Sequence, residues 1–84
     1  MEELRNQIDE IDQQLLQLLA KRLDVSKKIG DYKKNNGLPV KDIKREELII
    51  EKRSKSLAAL GYDDAAFVKK LLNLLFEKSR EVQK

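Results

Sequence analysis

From Glu2 to Lys34 the sequence carries an amphipathic helical repeat that is too long for the chain that contains it. Leu4, Ile8, Ile11, Leu15, Leu18, Val25, Ile29 and Tyr32 recur at steps of three and four, with one gap between Leu18 and Val25. Leu16, Leu19 and Leu23 add a second apolar stripe. Asn35-Asn36-Gly37 supplies a stop, and Pro39 keeps the helix from resuming. At a rise of about 1.5 Å per residue such a helix is about 50 Å long. A compact domain of 84 residues has a radius of gyration of only about 12 Å. The helix must project beyond its own globule, and its apolar stripe needs cover from a second chain.

Eighty-four residues make one domain, expected to span 1–84, and a core this thin usually needs a staple. There is no cysteine and no histidine, which removes disulfides, thiol nucleophiles, the commonest general base and the commonest metal ligand. Threonine is absent and serine occurs four times, so the familiar hydrolytic triads have nothing to be built from. No metal and no cofactor are expected. Leu, Ile, Val and Phe number 26 of 84, too many for a disordered chain, and one Pro with three Gly favours helix. A net charge of +3 suits a small anionic ligand and falls short of a nucleic-acid footprint. Lys27-Lys28 and Lys69-Lys70 read as solvated faces. No apolar run reaches membrane-spanning length, and Met1-Glu2-Glu3 is unlike a signal peptide. A cytoplasmic protein with no membrane or nucleic-acid partner is expected, its missing staple being a partner subunit.

A second helix is expected from an Asp42 cap to a stop before Gly61, with Ile43, Ile49, Ile50, Leu57 and Leu60 as its apolar positions. A third is capped by Asp63 or Asp64 and carries Phe67, Val68, Leu71, Leu72, Leu75, Phe76 and Val82. The informative residues break the binary pattern. Arg22 fills the gap of the first series, and Lys33 follows Ile29 by four, almost directly above Arg22. Glu46 and Arg53 fall in the seam Ile43, Glu46, Ile50, Arg53, Leu57, while Leu72, Phe76, Ser79 and Gln83 share one face. A single polar residue in a seam often only fixes register or oligomeric state. Polar intrusions on the inner faces of all three helices point instead to an interior pocket rich in cations, and guanidinium forks suit carboxylates.

The run Arg5-x2-Ile8-Asp9-x2-Asp12-x2-Leu15-x2-Leu18-x3-Arg22 resembles the first helix of the all-α chorismate mutases. Gly30-x2-Lys33, Pro39-x2-Asp42-x2-Arg45-Glu46 and Ser79-x3-Gln83 continue the resemblance in order along nearly the whole chain. It implies an all-α fold of three helices per chain, paired as an intertwined antiparallel helical homodimer. It also implies rearrangement of chorismate to prephenate, on the route to phenylalanine and tyrosine. That reaction is intramolecular and pericyclic, so a protein without histidine or cysteine can catalyse it by restricting a flexible dianion and stabilising charge separation.

By the same resemblance, Arg5 and Arg22 grip the two carboxylates, and Lys33 and Gln83 donate to the ether oxygen. Glu46 and the backbone around Asp42 hold the ring hydroxyl, while Arg45 and Ser79 complete the lining. Arg5 and Arg22 stand 17 positions apart, about 25 Å along one helix, so a ligand of this size can touch both only if they come from two chains. Helix ends fray, and Gln83 is the penultimate residue. Three other readings stay open: a lyase of the same fold that eliminates pyruvate from isochorismate, a regulatory domain that senses chorismate or prephenate, and a non-catalytic helical interaction module. Glu46 speaks against the lyase, and the complete polar set against the other two.

Overall fold

The computed structural model describes residues 1–84, arranged as three helices and no strands: α1 (Glu2–Asn35), α2 (Ile43–Ala59) and α3 (Ala65–Gln83). The all-α architecture and the three expected segments are therefore observed. α1 begins on Glu2 and Glu3 and ends on Lys33 and Lys34, so acid and base each sit at the end of the helix dipole that favours them. It stops in a Schellman turn. Leu38 N–H donates to the Lys33 carbonyl at 2.8 Å and Gly37 N–H to that of Lys34 at 3.3 Å, with Gly37 at a φ of +64° that a side chain would resist. α2 is capped by Asp42, which accepts from the Arg45 N–H at 3.1 Å. Of the two candidates for the third cap it is Asp64, accepting from the Phe67 N–H at 3.0 Å.

α3 is the hub. It packs against both other helices, whose backbones stay apart from each other. It runs antiparallel to α2 and parallel to α1, since Ser79 meets Ser26 and Gln83 meets Gly30 one turn further along both helices. Val68, Leu72 and Phe76 form the buried core, with Ile49, Ile50, Leu57 and Leu75 packed around them. On α2 the expected seam holds at Glu46, Ile50 and Leu57, but Ile43 and Arg53 are exposed, and Ser54 takes the half-buried place expected for Arg53. A straight helix advances by 3.6 residues per turn, so a strict heptad series drifts off the contact face.

α1 uses its second stripe within the chain. Leu19, Leu23, Ser26 and Gly30 face α3, whereas the main heptad series does not. Leu4, Ile8, Ile11, Leu15, Leu18, Val25, Ile29 and Tyr32 remain between 43% and 63% exposed. Every residue from Met1 to Leu18 lies on the surface. The long axis of the molecule is 52 Å and its radius of gyration 15.5 Å, against about 12 Å for a compact chain of this length. None of the helices is long and apolar enough to cross a membrane.

Candidate active site

Where α3 lies against the second half of α1 and the start of α2, the three helices enclose a cleft of about 560 Å³. Arg22, Lys33, Asp42, Arg45, Glu46, Ser79 and Gln83, all expected from the sequence, line it together. Arg5 does not. It stands near the free end of α1, 70% exposed at its side chain, and pairs only with Glu2 at 3.7 Å.

Helical spacing explains the α1 wall. Arg22, Ser26, Gly30 and Lys33 succeed one another by four, four and three, so all four face α3. Arg22 Nη1 donates to Ser79 Oγ at 2.7 Å, and Ser26 Oγ donates to the same oxygen at 3.1 Å. Ser79 thus accepts twice, and its own O–H proton is free to be donated to a ligand. Arg22 has used one of five donors and meets no carboxylate. Lys33 Nζ donates to the Val40 carbonyl at 2.9 Å. The Schellman turn and Pro39 bring Val40 back over the helix end, and the lysine keeps two further protons for another acceptor.

Gly30 sets how closely the end of α3 approaches. A methyl group built there would come within 2.7 Å of Gln83 Cα and 2.8 Å of the Gln83 carbonyl oxygen. Gln83 is accordingly part of the packed helix, 8% exposed, and not frayed. Its Oε1 is fully buried without a hydrogen-bond partner. Such a group costs about 1–3 kcal/mol, and turning the amide over only exchanges an orphaned acceptor for an orphaned donor.

On the opposite wall Arg80 Nη1 donates to Glu46 Oε2 at 2.6 Å. Asp42 keeps its carboxylate on the backbone of its own helix, as a cap. The cleft therefore holds five cations (Lys21, Arg22, Lys33, Arg45 and Arg80) against two carboxylates. That excess of positive charge suits a small anion with several acceptor oxygens.

Sequence reasoning missed Ser26 and Arg80. Ser26 had one available signal, its place midway between Arg22 and Gly30 on the same face. Arg80 had none, because its partner lies 34 residues away on another helix.

The family described as chorismate mutase type II matches residues 4–84. The chain is 32% identical over 82 residues to a protein named chorismate mutase from Methanocaldococcus jannaschii, covering 98% of this chain and 82% of that one. It is 45% identical over 58 residues to the T-protein of Enterobacter agglomerans, covering 69% of this chain and 16% of the relative. With the bifunctional chorismate mutase/prephenate dehydratase of Escherichia coli K12 it shares 36% identity over 76 residues, 90% of this chain and 19% of that protein. The chain thus spans a fifth or less of these two longer relatives. No solved structure matches it significantly. With three helices, the expected polar residues other than Arg5 gathered in one cationic cleft, and a family match over nearly its whole length, the chain belongs to the chorismate mutase type II family.

Proposed function

We propose that residues 1–84 act as one chorismate mutase domain, converting chorismate to prephenate for phenylalanine and tyrosine synthesis, and that they do so as a homodimer. The observation that carries this reading is the meeting of two cations free of carboxylates, Arg22 and Lys33, with Ser79 and the Gln83 amide in one cleft. Arg22 and the Ser79 hydroxyl bind one substrate carboxylate. Arg5 of the partner subunit reaches the other when two α1 helices pack antiparallel along their uncovered stripes. Arg45 adds positive charge to the lining.

In the reaction the ether C–O bond breaks as a C–C bond forms, and negative charge gathers on the ether oxygen. The remaining Lys33 protons and the Gln83 amide N–H meet that oxygen, so their interaction strengthens as the transition state is approached. Glu46 and the backbone around Asp42 receive the ring hydroxyl. No protein group forms a bond to the substrate or takes a proton from it.

The test is the loss of chorismate absorbance on adding pure protein, with products assayed directly. Accumulating prephenate supports the reading. Pyruvate and salicylate from isochorismate would replace it with the lyase, and binding without turnover would replace it with a sensor.

A further inference from the structure

Of the five cations that line the cleft, only Arg80 meets a carboxylate. Arg22 and Lys33 direct their donors to neutral oxygens, and the other ion pairs of the chain lie outside the cleft. The Arg80 and Glu46 side chains are 28% and 22% exposed, so their attraction is screened far less than that of a surface pair. The bond engages Oε2 of Glu46, a residue of the cleft lining, and leaves Oε1 without a hydrogen-bond partner. A bare Arg80 would offer a competing seat for a carboxylate. A bare Glu46 would repel any dianion. Joined, they do neither, and the remaining carboxylate oxygen can still accept from a hydroxyl.

We propose that Arg80 is a specificity-determining residue that neutralises and orients Glu46, so that the α2 side of the cleft receives the substrate's hydroxyl and not a carboxylate. The pair thereby fixes which way round the dianion lies. This rests on the chorismate mutase reading above.

Four variants test it: Arg80→Met, Arg80→Lys, Glu46→Gln and the double variant Glu46→Gln/Arg80→Met, each checked for parental helix content by circular dichroism. The first measurement needs no turnover and uses succinate as a plain dianion in calorimetric titration. Glu46→Gln should tighten succinate at least about tenfold, as expected for one unmasked charge-assisted bond, and the double variant should return to the parental value. The second compares kcat/KM for chorismate with that for the same diacid lacking its ring hydroxyl. Arg80→Met should shrink that ratio at least about tenfold, and Arg80→Lys should recover most of it. A purely structural role would depress both substrates alike and leave the ratio unchanged.

Unchanged succinate affinity in Glu46→Gln, or an unchanged ratio in a folded Arg80→Met, overturns the proposal. If Arg80→Met does not fold, Arg80→Lys and the Glu46→Gln titration decide it. A parent protein that binds succinate but leaves chorismate untouched overturns the enzymatic reading instead, and the titrations still decide whether Arg80 is masked.

Discussion

Gly30→Ala is a small change with a large expected effect on turnover. The added carbon would stand 2.7 Å from Gln83 Cα, 2.8 Å from its carbonyl oxygen and 2.9 Å from its Cβ. Ordinary carbon contacts fall at about 3.5–4.0 Å, so the end of α3 must retreat by about 1 Å. Two of the three atoms are backbone, and no side-chain rotation relieves them. Overpacking of this kind costs about 1–3 kcal/mol, while alanine regains about 1 kcal/mol over glycine inside a helix. The net loss is about 0–2 kcal/mol, and Tm should fall by no more than about 15 °C.

Turnover is the sensitive quantity, because misplacing a catalytic group by about 1 Å can cost about a hundredfold. We expect kcat for chorismate to fall about tenfold to a hundredfold in folded Gly30→Ala. Gln83→Ala should lose about a hundredfold to a thousandfold, as for one preorganised donor. The double variant should be little worse than Gln83→Ala alone, since both changes remove the same contact. Parental kcat in Gly30→Ala, or losses that multiply in the double variant, would refute the argument that Gly30 acts by seating Gln83.

Lys33→Ala should lower kcat about a hundredfold to a thousandfold with a much smaller change in KM, because the ether oxygen becomes strongly negative only in the transition state; steady-state kinetics on chorismate decides this. Mixing Arg5→Ala with Arg22→Ala chains should restore activity, one of the two sites in each heterodimer being intact. Confirmed subunit exchange with no recovery would place both arginines in a site made by one chain. Tm should rise with protein concentration, as coupling between folding and association demands, and a well-folded monomer in sedimentation at micromolar concentration would contradict the dimer.

The helices and most of their caps were legible because their determinants are local: Asp42 is read from a few neighbours, as is the stop at Gly37, whereas Asp63 and Asp64 were separated only by the bond to the Phe67 N–H. The face Leu72, Phe76, Ser79 and Gln83 was legible from spacing alone, and all four are buried. Which stripe of α1 serves its own chain was not, because two apolar stripes on one helix look alike until something packs against one of them. Leu19 and Leu23 meet α3, and the longer heptad series is left over. Arg80 was hidden for another reason. A charged residue near a helix end reads as surface, and only tertiary structure brings it to 2.6 Å from Glu46. The close approach at Gly30 needs two helix axes to be known, which no single segment encodes.

That the backbones of α1 and α2 stay apart, each packing closely only on α3, has a kinetic consequence. The α2–α3 hairpin closes over residues 60–64, whereas α1 must be brought to α3 across 53 residues, from Ser26 to Ser79. Short closures precede long ones on entropic grounds, so the hairpin should assemble first and α1 should dock last. The Glu46–Arg80 bridge then exists before there is any cleft, while the junction of Arg22, Ser26 and Ser79 arrives with the final step. Ligand affinity should accordingly emerge all at once during refolding. In pulse-labelling hydrogen exchange, amides of α2 and α3 should gain protection as one group, ahead of those of α1.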